Sequence, residues 1–225
     1  MHNDLDIQFP DFGKVTLPES FDDIQIADPL PLKENRTHRE ARKKRIGPSI
    51  KSMVKPENVT AVGKLLSSEE SAPLHIILRG DFILGDLIGW IADREPVKFF
   101  TCASLGVSIK NAEMLARLIG EEKLHGVSLL LSHYFAAVDK ADVWLAVKNL
   151  LLPRDVKMGI GRSHAKVFLI EFIDPQIQPI VIEGSANLRA SGNIEQITVW
   201  RDSELLEFHK TWINEMIQKM EVERD

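Results

Sequence analysis

One cysteine, Cys102, stands in 225 residues, so an internal disulfide framework is excluded and no second thiol is at hand for a thiolate zinc site. Alone, it reads as a small buried apolar residue. Long apolar runs are also missing. The longest uncharged apolar stretch, GVSLLLSHYFAAV at 126–138, contains a histidine and falls well short of the roughly 20 residues that span a bilayer. The first residues, MHNDLDIQFPDFGK, are acidic and lack the basic, apolar, small-residue order of a secretory signal. The expectation is a cytoplasmic protein with no stable membrane association. No HExxH-type metal signature, internal repeat or low-complexity tract is present.

What is there is segregated by charge. The net charge of -5 conceals an acidic stretch at 1–28, with seven carboxylates against Lys14, and a basic stretch at 33–55, with nine Lys or Arg against Glu34 and Glu40. A polyanion therefore finds its favourable field in one segment and not in the body of the protein. That segment holds no aromatic residue, which suits phosphate-backbone contact better than lipid insertion or base stacking. Arg36, Arg39, Arg42, Lys43, Lys44 and Arg45 are its candidate nucleic-acid-binding residues; the competing reading is a solvated helix face balanced by the acidic stretch. Prolines 10, 18, 29 and 31 interrupt regular structure, so residues 1–60 are expected to form an N-terminal extension and 61–225 the folded domain.

From Leu74 onward strands and helices alternate. LHIIL (74–78), VKFFTCASL (97–105) and VSLLLSHYF (127–135) read as strands. The segments at 81–95, from Ser108 to Gly120, and at 139–151 read as helices, with Ser108 as a cap and Gly120 as a stop. VKMGI, HAKVFLIEF, PIVIEG and IEQITVW supply four more strands. A final helix from Ser203 sets Leu205, Phe208, Trp212, Ile213, Met216, Ile217 and Met220 on one face. This alternation predicts a layered α-β-α sandwich around a mixed sheet.

The chemistry gathers late in the chain. If HAKVFLIEF is a strand from its first residue, His164 and Lys166 emerge from one face, about 6–7 Å apart. Ser185 and Asn187 in EGSANLR, then Asn193 and Glu195 in GNIEQ, repeat the spacing. Six polar side chains at the ends of neighbouring strands make an oxyanion site in which His164 is the nucleophile. Lys166 and Asn187 would neutralise a phosphoryl group, and Glu195 would orient the imidazole through its other nitrogen.

HAKVFLIE followed by GSANLRASGNIEQ resembles the HKD motif of the phospholipase D superfamily, His-x-Lys-x4-Asp, then Gly-Ser-x-Asn, then Asn-x-Glu, in order and spacing over about 32 residues. The resemblance implies a phospholipase D-like fold and a metal-independent phosphodiesterase needing no cofactor. His164 would form a phosphohistidine, Lys166, Ser185 and Asn187 would bind phosphate, and Glu195 would orient His164, with Glu171 and Asn193 in support. There are two departures. Glu171 stands where the family has Asp, and its odd parity from His164 puts it on the opposite face of a strand, in a structural role. Superfamily catalysis also uses two HKD histidines, whereas of His2, His38, His75, His125, His133, His164 and His209 only His164 stands in His-x-Lys. The resemblance therefore implies a homodimer that brings two copies of the motif together. His75, His125 and His133 read as strand-end or surface residues.

The substrate class expected is nucleic acid, cleaved by a nuclease. The alternatives are a phospholipase or phosphatidyltransferase, and a catalytically silent nucleic-acid-binding or assembly scaffold.

Overall fold

The computed structural model describes residues 53–54, 59–66, 73–78, 84–139, 141–189, 194–220 and 222. Arg36, Arg39, Arg42, Lys43, Lys44, Arg45 and Asn193 lie outside the described residues, as does nearly all of the expected extension. The strands are β1 (Met53–Val54), β2 (Leu74–Leu78), β3 (Val97–Ser104), β4 (Val127–Ser132), β5 (Lys157–Gly161), β6 (Val167–Phe172), β7 (Ile180–Gly184) and β8 (Glu195–Trp200). The helices are α1 (Val59–Leu66), α2 (Leu84–Ala92), α3 (Ile109–Gly120), α4 (Ala141–Leu151) and α5 (Ser203–Lys219). The sheet takes in β1, upstream of the expected start of the domain at residue 61.

One eight-stranded mixed sheet runs in the order β1-β2-β8-β7-β6-β3-β4-β5. Strands β3, β4 and β5 are parallel neighbours, whereas β6 is antiparallel to both β3 and β7, and β8 to both β7 and β2. The carboxyl ends of β2, β3, β4, β5 and β7 and the amino ends of β6 and β8 therefore share one edge. In open α/β sheets the crevice outside the carboxyl ends of parallel strands is where ligands bind.

Both sheet faces are covered. On one, Phe100, Cys102, Leu129, Leu131, Phe168, Ile170, Ile182 and Ile197 pack with apolar residues of α1 to α4. On the other, Ala103, Leu130, Val167, Leu169 and Val181 meet Leu206, Ile213 and Ile217 of α5. The α-β-α sandwich expected from the alternation is present. Because β4 is buried on both faces, its middle is the unbroken apolar run Leu129–Leu131 instead of an alternating pattern. Cys102 is fully buried and desolvation pushes its thiol far above the ordinary range, which makes it inert.

Several local readings change. Ser108 caps α3 as expected, its hydroxyl accepting from Asn111 N at 3.2 Å, but the left-handed residue beyond the helix is Glu122, not Gly120. Strand β4 stops at Ser132, and His133 and Tyr134 open a helical turn that passes into a π-helical turn at Phe135–Asp139. Phe135 anchors this turn in the core; Gly106 makes room for it, since a Cβ there would lie 2.7 Å from the ring. Helix α5 buries Leu206, His209, Ile213 and Ile217 and leaves Phe208 65% exposed. Its apolar stripe is rotated by about one residue from the expected face, because Trp212 Nε1 and Glu183 satisfy the ring of His209 and make that histidine buriable. Among the described residues, no helix is long and apolar enough to cross a membrane.

Candidate active site

His164, Lys166, Ser185, Asn187 and Glu195 gather at the shared sheet edge, and of these only Glu195 belongs to a strand. His164 and Lys166 lie in the segment before β6, which begins only at Val167. The same-face parity expected for them on a strand does not apply. What joins them is a side-chain contact: Lys166 Nζ donates to His164 O at 2.8 Å and lies 3.0 Å from His164 Nδ1. Ser163 holds the preceding turn through its Oγ, which accepts from Ala165 N at 3.2 Å.

Strand β7 delivers Ser185 and Asn187 just beyond its carboxyl end, and β8 begins at Glu195. Gly184 allows the close approach of these two strands, because a Cβ there would strike the Gln196 carbonyl and come within 2.8 Å of Ile197 Cα. The hydroxyl of Ser185 donates to Glu195 Oε2 and accepts from Gln196 N at 3.0 Å. Among the described residues Glu195 is hydrogen-bonded to Ser185 and not to His164, whose Nδ1 is met by Lys166 instead. The expected Glu195–imidazole hydrogen bond is absent from this arrangement.

Asn187 has a second task. Its Oδ1 accepts from Leu105 N at 3.0 Å and ties the Gly-Ser-x-Asn segment to the loop after β3. Ser104 Oγ reinforces the tie by accepting from Leu188 N at 3.0 Å, and Ser108 N donates to Leu188 O at 3.0 Å. With its carbonyl oxygen engaged, the Asn187 amide has its NH2 group left to offer a ligand.

Electrostatics binds the two halves of the site together. Desolvation is the largest influence on Lys166 and lowers its pKa; the Glu195 carboxylate opposes this, and the cation of Arg189 adds to it. A partly desolvated ammonium that feels both a carboxylate and a guanidinium is poised to exchange contacts with an incoming anion. Arg189 was not singled out in the sequence, where it reads as one more residue after Asn187.

Glu171 is elsewhere. It lies in β6, where Lys210 Nζ of α5 donates to its Oε2 at 2.8 Å. Five residues from Lys166 along an extended chain, it stands about 16 Å from the site. It clamps α5 to the sheet.

A recess of about 540 Å³ opens beside His164, bordered by Leu105, Ser132, His133, Tyr134 and Arg162. His133, expected as a surface residue, is exposed on this recess. Nothing in the local sequence could reveal the grouping, because Tyr134 follows β4, Arg162 follows β5, and only the parallel pairing of those strands brings their ends together. His75, expected at a strand end, lies within β2 with Nδ1 at 3.0 Å from Thr198 Oγ1.

No protein-family model matches the chain, and no curated protein matches it in sequence. Solved structures do match in fold. Nuc from Salmonella typhimurium, a phospholipase D family member, aligns with a TM-score of 0.50 at 13% identity, covering 68% of this chain and 99% of its own. Polyphosphate kinase from Porphyromonas gingivalis aligns with a TM-score of 0.50 at 14% identity over 68% of this chain and 28% of the kinase. The sandwich described above has a phospholipase D-like fold, the fold of Nuc.

Proposed function

We propose that the chain is a phosphodiesterase that cleaves nucleic acid through a phosphohistidine at His164. The observation that carries this reading is the meeting of His164, Lys166, Ser185, Asn187 and Glu195 on one sheet edge, with an imidazole, an ammonium, an amide and a carboxylate within one small site. In the first step His164 Nε2 bonds to phosphorus and the P–O bond to the leaving oxygen breaks, that oxygen taking a proton from a second imidazole. In the second, water attacks the phosphohistidine, gives its proton back to that imidazole, and releases a phosphomonoester with His164 restored. Lys166 and the Asn187 amide stabilise the oxygens that gain charge.

The second imidazole comes from His164 of another copy of the chain in a two-fold dimer. Ile194, 73% exposed and next to Glu195 on the site edge, and Ile109, 42% exposed, are apolar groups suited to that interface. A second reading rests on His133, which borders the recess of His164 and could donate the proton within one chain. Hydrolysis in EDTA, measured together with mass in solution, separates them. A dimer whose His133→Ala variant stays active supports the first; an active monomer silenced by that substitution supports the second. The six basic residues from Arg36 to Arg45 would add sequence-independent backbone contact. A substrate limited to lipid phosphodiesters would overturn the nucleic-acid reading.

A further inference from the structure

We infer that the recess beside His164 is a base-stacking subsite for single-stranded nucleic acid, with Tyr134 as the stacking surface and Arg162 as the contact for the phosphate next to the scissile one. This rests on the nuclease reading and narrows its substrate.

Several observations meet here. The recess, at about 540 Å³, falls within the roughly 300–1,000 Å³ usual for sites that hold a small molecule, and His164 forms part of its wall. Tyr134 remains 54% exposed on it while the next residue, Phe135, is 1% exposed. The turn thus spends one aromatic ring on the core and presents the other to the recess. Its hold is firm on both sides, with Tyr134 N donating to Ser132 Oγ at 3.2 Å and the Phe135 ring packed at Gly106. Beyond it the chain forms a π-helical turn, a distortion frequent at functional sites.

Arg162 also lines the recess. It follows Gly161 at the end of β5, where Ser163 N donates to Gly161 O at 3.0 Å and turns the chain toward His164. The wall thus offers a nucleophile, an aromatic face and a guanidinium, which is what successive units of a nucleic-acid strand require: a phosphorus to attack, a base to stack and a second phosphate to hold. The substrate must be single-stranded at this point, because a base paired in a duplex keeps its faces stacked on its neighbours.

Tyr134 is the only tyrosine in the chain, which gives the test a specific reporter. Protein labelled with 3-fluorotyrosine shows one fluorine resonance. In the His164→Ala protein, which binds without turnover, twelve-residue oligothymidylate should shift that resonance, and an abasic phosphodiester of the same length should not. In the catalytically competent protein, Tyr134→Ala should raise KM for oligothymidylate about tenfold, as loss of one base–aromatic stack does, and Tyr134→Phe should leave it unchanged. Arg162→Ala should flatten the dependence of log KM on log salt by about 0.7, one phosphate contact on a single strand. Cleavage of oligothymidylate with an unmoved resonance and an unchanged KM in Tyr134→Ala would overturn the subsite while leaving the nuclease intact. No binding or cleavage of any oligonucleotide would overturn the nucleic-acid reading and the subsite with it.

Discussion

Lys166 Nζ lies 3.0 Å from His164 Nδ1. An ammonium has no lone pair and can only donate, so this contact requires Nδ1 as the acceptor and places the ring proton on Nε2. That is the tautomer of a proton donor, and an attacking Nε2 must be free of hydrogen. An anion in the site has to draw Lys166 away from the ring and let Nδ1 take the proton before His164 can attack. Long-range nitrogen–proton NMR of labelled histidine checks this: the His164 pattern should be of the Nε2–H type in the free protein and change to the Nδ1–H type when vanadate, a phosphoryl mimic, is added.

Desolvation holds the Lys166 pKa below the ordinary lysine value, opposed by Glu195 and aided by Arg189. The charged form is the one that stabilises phosphate oxygens, so activity should be present at neutral pH and fall as pH rises, with its alkaline limb below the usual lysine range of about 10.4. Lys166→Arg should move that limb upward, and Lys166→Met should lower kcat by about 10²- to 10³-fold, as the loss of one oxyanion donor does. A pH profile of kcat/KM reads all three.

Gly184 lies against the backbone of β8, where a Cβ would meet the Gln196 carbonyl and Ile197 Cα. Backbone cannot move aside as a flexible side chain can, so Gly184→Ala should destabilise the fold by about 1–3 kcal/mol and separate Ser185 from Glu195. Urea unfolding gives the first effect. A loss of kcat at temperatures where the variant remains folded gives the second.

Glu171 and Lys210 join β6 to α5 with both side chains mostly buried, at 17% and 27% exposure. Burial works against the charge on Lys210, but Glu171 and Glu207 together raise its pKa. A raised folded-state value means that the pair's contribution is complete below the unfolded-state value of about 10.4 and is lost as pH rises through the higher, folded one. Glu171→Gln should therefore cost stability, about 1–3 kcal/mol, at neutral pH, and less in strongly alkaline buffer. Its kcat/KM at 25 °C should match the wild type, since residue 171 stands far from the site.

The sandwich was legible because β2 through β8 are apolar enough to announce themselves, and LHIIL began and ended where Leu74–Leu78 does. Periodicity was less reliable where a polar residue is satisfied internally. His209, held by Glu183 and Trp212, turns α5 so that Leu206 is buried and Phe208 is not. The motif residues were legible from their spacing, but the reason for their meeting was not. His164 and Lys166 sit before β6 and are joined by a side-chain contact, and Ser185 meets Glu195 through the pairing of β7 with β8. Tyr134 and Arg162 could not be read at all, since 28 residues of sequence separate two side chains that share a recess only through strand pairing.

The covalent step is open to direct observation. Single-stranded DNA is mixed with the protein in EDTA, the reaction is stopped in alkali, where phosphohistidine survives, and the protein is mapped by mass spectrometry. The wild type should cleave and carry a phosphoryl-linked DNA adduct on His164, and His164→Ala should do neither. Cleavage that proceeds in His164→Ala, or that leaves no adduct on His164 of the wild type under conditions of accumulation, would contradict it.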